Sequence, residues 1–158
     1  MAYLERRYGT DTASAARLYV ETGARRSEIN QLSAARNPIN AAGQIQLTNC
    51  KHGRPRLSAP ISAESRAFVE RSYRENGGLT INADRLRQQL NEALTATGQM
   101  RYRGGLHALR HTFATDRLQQ LTAEGMPRHA AKSQVSRELG HNRQDAVKPY
   151  IEGQAAYK

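Results

Sequence analysis

The 158-residue sequence has no tryptophan, two phenylalanines and one cysteine, Cys50. A single cysteine excludes an internal disulfide and makes no metal set by itself, so Cys50 reads as a small half-buried residue. No run approaches the about 18 consecutive apolar residues of a membrane-spanning helix, and the opening MAYLERRYGT lacks the apolar stretch of a secretory signal. The expectation is a soluble, cytoplasmic protein. A glycine-rich phosphate cradle of the G-x-x-x-x-G-K-[ST] type is also missing, so nucleotide hydrolysis has no support.

Acid is scarce too, with 14 Asp and Glu against 24 Lys and Arg, a formal net charge of +10 and a pI near 10.4. Such a balance points to a polyanionic partner, although a basic surface can also be merely solubilising. The cations are 20 Arg and 4 Lys, and guanidinium forks match phosphate oxygens in pairs where ammonium groups act as point charges. Nucleic acid is favoured over a membrane surface. With so few rings to interleave with the arginines, contact with a duplex backbone is favoured over single-strand stacking.

The length allows one domain with a single packed core. Residues 1–10 read as a polar lead-in. Asp11 or Thr12 caps a helix to Thr22 that Gly23 closes, and a second helix runs from about Arg26 to Ala34 with Ile29 and Leu32 inward. From Asn37 to Ile61 apolar and polar residues alternate, which predicts a small antiparallel sheet with turns at Asn40–Gly43 and Lys51–Arg54. Ser62 caps a helix to about Asn76, and Asn82 caps another whose Leu86, Leu90 and Leu94 step by four. The segment Gln99 to Gly105, with Arg101, Tyr102 and Arg103, leads into a helix that Gly125 and Pro127 end. A further amphipathic run spans about Pro127 to Leu139. The fold class is α+β, mainly α-helical, with helices packed around a small antiparallel sheet.

Chemistry-bearing residues concentrate from His107 to Tyr150. His107 and Arg110 lie three apart on one helix, then come Gly140-His141 and, nine residues later, Tyr150. This order, H-x-x-R-H, L-G-H, Y, resembles the catalytic domain of the tyrosine recombinases, the phage integrase family. TGARRSEINQL resembles the family's T-G-x-R-x-S-E-x-x-x-L box, which matches Arg25 to the first active-site arginine and Glu28 to its acidic partner. CKHGRPRLSAPI resembles the G-K-x-x-K-x-R-x-V-P-L hairpin, which gives Lys51 the role of the hairpin lysine, with Cys50 in place of glycine and Pro60 one residue late. Arg26 stands where an apolar residue is common, and the step from Arg110 to His141 is long, consistent with an extended turn at Thr122–Arg128.

The resemblance implies a site-specific recombinase or integrase from a bacterial or phage mobile element, one that acts at the nucleoid, cuts and rejoins double-stranded DNA through a 3′-phosphotyrosine, and needs no cofactor. Attack on a phosphodiester builds charge on the non-bridging oxygens, which Arg25 and Arg110 are suited to stabilise. His107 and His141 add hydrogen bonds or shuttle a proton, Lys51 protonates the leaving 5′ oxygen, and Tyr150 is the nucleophile. A tyrosine in water is ionised to only about one part in a thousand at pH 7, so clustered cations must offset roughly 4 kcal/mol. Glu28 and His111 are expected to support the site from behind the reacting groups. Tyr157 is a poor rival, lying 16 residues past His141.

Read as that family, residues 1–158 form a single catalytic domain with 152–158 a short tail and the N-terminal core-binding domain absent. A homo-oligomer, the tetramer, is expected only on DNA. Two other readings compete with it. A non-catalytic DNA-binding module would keep the fold and the basic face alone. A zinc site is suggested by His107 and His111 four apart, with His129 and His141 further on, but the H-E-x-x-H pattern needs glutamate where Ala108 stands.

Overall fold

The first ten residues, expected only as a polar lead-in, fold. The computed structural model describes residues 1–99, 105–141 and 147–151, with His52 described by its backbone alone. Helix α1 (Ala2–Tyr8) buries Leu4 and meets α2 (Thr10–Thr22) across Gly9. Gly9, rather than the side chain of Asp11 or Thr12, occupies the cap position of α2. A helix this short is held by packing against its neighbours more than by its own hydrogen bonds.

Gly23 ends α2 in the left-handed region at φ 60°, and a Cβ there would run into the Phe113 ring. Only glycine gives both the backbone angle and the close approach. The next helix is shorter than expected: α3 covers Arg26–Ile29, after which the chain extends into β1 (Gln31–Ser33). Leu32 is buried as anticipated, but from a strand. Its partner is β4 (Gly78–Thr80), antiparallel, with Leu32 opposite Leu79.

The hairpin between them forms where expected, but its second strand departs from the alternating pattern, with Leu57 exposed and Arg56 turned inward. β2 (Gln46–Leu47) pairs antiparallel with β3 (Arg56–Leu57), extended by a bridge between Ile39 and Ile45, and a short 3-10 turn at Lys51–Gly53 joins the two. The sheet expected between Asn37 and Ile61 is this β2–β3 pair, and the β1–β4 pair is a second two-stranded sheet that the pattern did not indicate.

The next two helices begin where their capping side chains predict. Ser62 accepts from the Ser65 amide at 3.1 Å to open α4 (Ala63–Asn76), and Asn82 accepts from the Arg85 amide at 3.0 Å to open α5 (Ala83–Ala96). Then follow α6 (Leu106–Ala123), α7 (Arg128–Glu138) and α8 (Lys148–Ile151). The stretch 100–104, with Arg101, Tyr102 and Arg103, and the tail 152–158, with Tyr157, lie outside the described residues.

Helix α6 organises the packing, touching α2, α5, α7 and α8. Its first turn joins a core built from α1, α2, α4, α5 and the strands, through Leu106 and Leu109. Further along, Phe113, Ala114, Leu118 and Leu121 belong to a second core with Ala131 and Val135 of α7, Leu139 just past its end, and Val147. Arg110 sits at the junction. The described residues thus comprise eight α-helices and two small antiparallel sheets, mainly α-helical as expected. None of these helices is long and apolar enough to cross a membrane.

Candidate active site

Arg110 is 2% exposed. Its Nη1 donates to the Gly23 carbonyl at 2.5 Å and its Nη2 to the Leu139 carbonyl at 2.5 Å, while Nε donates to the Tyr150 hydroxyl at 3.4 Å. His141 Nε2 lies 3.4 Å from Nη2. One guanidinium therefore ties the corner after α2, the end of α7 and α8 together. Burial pushes its pKa down from the ordinary arginine value, which expresses the cost of holding a cation among neutral acceptors. An anion placed there would relieve that cost.

Arg25 is the cap residue of α3. Its backbone amide donates to Glu28 Oε2 at 2.7 Å and its Nη1 to Glu28 Oε1 at 3.2 Å. Glu28 is 1% exposed and also accepts from Arg56 Nη2 at 2.5 Å. The arginine side chain keeps 26% of its surface and lines an open cleft of about 430 Å³ with Lys51, Arg54, Arg56, Arg137 and His141. Lys51 reaches that cleft from the exposed turn between β2 and β3.

Tyr150 is half-buried against the second core. The ring centroids of His107, His111 and His141 lie 5.8, 4.7 and 5.8 Å from its own, and Arg110 Cζ stands 5.3 Å from the ring centre. Burial first, then the charges of Arg110, Arg25, Arg56 and Lys51, push the His141 imidazole down to about 4. Partial desolvation, then His111, Arg110 and Arg25, push His107 below its ordinary value. Both rings are held towards the neutral form, able to accept a proton. Among the described residues no three His, Cys, Asp or Glu side chains group as a metal site.

The structure thus gathers Arg25 at the start of α3, His107 and Arg110 in the first turns of α6, His141 just past α7 and Tyr150 of α8, with Lys51 at the rim. His111 packs on Tyr150, and also meets His107 at 5.2 Å in a T-shaped contact. Two features escaped the sequence. Glu138, near the end of α7, forks with Arg117 of α6 at 2.9 and 3.0 Å, and Arg56 joins Glu28 to the Glu138 carbonyl at 2.6 Å. A signal for Arg56 was present: the arginine of the hairpin box falls on it.

No protein-family model matches this sequence, and no curated protein does. Solved structures do. The XerH site-specific recombinase in its pre-cleavage complex with a difH substrate superposes with a TM-score of 0.66 at 19% identity, over 99% of this chain and 47% of that one. The fold is that of the tyrosine recombinase catalytic domain. The Tn1549 transposon integrase with circular intermediate DNA gives 0.63 at 15% identity, over 99% of this chain and 61% of that one. A lambda integrase dimer on a COC′ core site gives 0.66 at 15%, over 94% and 54%. The chain thus spans about half the length of the recombinase chains it matches.

Proposed function

We propose that this chain is the catalytic domain of a site-specific recombinase or integrase of a mobile element, cutting and rejoining DNA through a 3′-phosphotyrosine at Tyr150. The observation that carries the reading is the Tyr150 hydroxyl, bonded to buried Arg110 within a ring of three imidazoles beside a cationic cleft. Its partner is double-stranded DNA, with four copies assembling only on that DNA.

A scissile phosphate lodged between Arg25 and Arg110 has its non-bridging oxygens facing two guanidinium groups, which stabilise the charge that grows during attack. The Tyr150 oxygen bonds to phosphorus while its proton passes to a neutral imidazole, His107 or His141. The bond to the 5′ oxygen breaks, and that oxygen takes a proton from Lys51. In the reverse direction a 5′ hydroxyl attacks the phosphotyrosine and releases the phenol, so rejoining needs no external energy source. Glu28 and His111 hold Arg25 and the tyrosine ring.

The test is trapping on a nicked duplex designed to lose its cleaved end, or on mixed genomic DNA, followed by a denaturing gel. A covalent protein–DNA adduct is expected from the native sequence and its complete loss from Tyr150→Phe, with duplex affinity changed by less than about twofold, since the hydroxyl acts on the transition state more than on binding. An adduct that persists in Tyr150→Phe would sink the assignment. Binding with no adduct from either protein would instead favour a binding module with the same fold.

A further inference from the structure

The strand-transfer scheme leaves Arg56 without a part, although its side chain is 11% exposed and sits at the middle of the site. Its Nη2 shares Glu28 Oε2 with the Arg25 amide, at 2.5 and 2.7 Å. Its Nη1 donates to the Glu138 carbonyl at 2.6 Å, in the last turn of α7. Its Nε is buried with no hydrogen-bond partner among the described residues. What fills the space there is Gly140, at φ 81°: a Cβ on that residue would come within 2.8 Å of Arg56 Nε and 3.4 Å of Arg25 Nη1. Gly140 immediately precedes His141, whose own amide is tied to the Ser136 carbonyl at 2.9 Å.

Glu28 already has Arg25 for neutralisation. A second buried guanidinium adds desolvation cost for little net stability, so what the fork contributes is geometry. It spans three segments remote in sequence: the α3 cap bearing Arg25, the turn bearing His141, and β3, the strand that ends the Lys51 hairpin through the pair Leu47 and Arg56. Resting on the strand-transfer reading, we infer that Arg56 is a positioning residue for strand cleavage, its guanidinium fixing Arg25, the Gly140–His141 turn and the Lys51 hairpin in one frame. Its bonded nitrogens are committed inward, to Glu28 and the Glu138 carbonyl, so it acts through those residues.

Two variants test this in the full chain. Arg56→Lys keeps the charge but offers one nitrogen, unable to serve Glu28 and the Glu138 carbonyl together. Arg56→Met removes both bonds; if it does not fold, Arg56→Lys carries the test. Amide hydrogen exchange at Gly140 and His141 is expected to quicken about tenfold in the variants while α4 amides stay within about twofold, the pattern of local rather than global opening. Single-turnover adduct formation at saturating nicked duplex is expected to fall about 30-fold, with duplex affinity within about threefold, since small misplacements of reacting groups cost rate more than binding. The acid limb of the rate profile should move to higher pH in Arg56→Met and stay in Arg56→Lys, because only the former removes a cation beside His141.

Unchanged exchange at Gly140 and His141 overturns the inference whether or not the native chain cleaves DNA. Quickened exchange with undiminished cleavage overturns it as well, because the frame would then be without catalytic consequence. Absence of adduct from the native chain speaks against strand transfer alone, and the exchange result still decides whether Arg56 holds the frame.

Discussion

A neutral His141 ties the stability of the fold to acidity. Its folded pKa of about 4 lies below the ordinary value of about 6.5, so between these limits the unfolded chain takes up a proton that the folded chain refuses. The associated stability is present above about pH 6.5 and is lost as pH falls through about 4. Urea midpoints measured from pH 7 to 4.5 should decline, and His141→Gln should flatten the decline. Under the strand-transfer reading, a phosphate near Arg110 and Arg25 opposes the two largest charges acting on the imidazole. Duplex binding should then be accompanied by proton uptake, visible as a binding heat that depends on the ionisation enthalpy of the buffer. Arg110 carries the larger risk to the fold. Arg110→Lys cannot reach both the Gly23 and Leu139 carbonyls, and leaving one buried and unpaired should cost about 2 to 4 kcal/mol, read from urea melts. Under the strand-transfer reading, adduct formation should also drop by about 100-fold or more, the loss typical of a single transition-state donor.

Among the elements, what could be read locally was read and what depended on distant pairing was not. Ser62, Asn82, Gly23 and Gly77 announce helix ends because a cap is a contact between near neighbours. The stretch Ile29 to Leu32 fits a helical step equally well as a strand. Its fate is decided by β4, where Leu79 meets Leu32 across 47 residues of sequence, and no local pattern records that choice. The α1 helix was missed for a similar reason, since a single buried Leu4 makes no periodic signal. Gly23 offers the sharpest test at this scale. Gly23→Ala imposes both a strained backbone and an intrusion into Phe113, and should destabilise by about 2 to 3 kcal/mol in thermal or urea unfolding. Gly77→Ala, where a Cβ meets nothing within 4 Å, should cost about 1 kcal/mol, the backbone part alone.

Over the whole molecule, composition spoke to the partner and motif order to the site. An excess of arginine implied a polyanion without saying which face meets it. If duplex DNA is that partner, log affinity should fall linearly with log salt, by about 0.9 for each phosphate neutralised. Replacing Arg54 in the cleft by alanine should reduce the slope by about one, measured by titration at several salt concentrations. The gathering of Arg25, His107, Arg110, His141 and Tyr150 was legible because order and spacing survive in the chain. The bridges behind them were not. Arg56 with Glu28, and Arg117 with Glu138, join residues 28 and 21 positions apart, and a charge in a sequence carries no mark of the partner it will find.

The four residues of α8 are too few to hold a helix by their own hydrogen bonds. What keeps Tyr150 in place is therefore external: the apolar seat shared with Val147, the imidazoles tilted against its ring and one long bond from Arg110. An element fastened in this way has a dwell time set by its docking alone. Under the strand-transfer reading, the nucleophile then behaves as a ligand covalently tethered to its own protein, bound or released within one molecule rather than from solution. Occupancy of the seat, and with it on that reading the fraction of molecules ready to react, becomes a quantity that any partner touching α8 can raise or lower without altering Arg25, His107, Arg110 or His141.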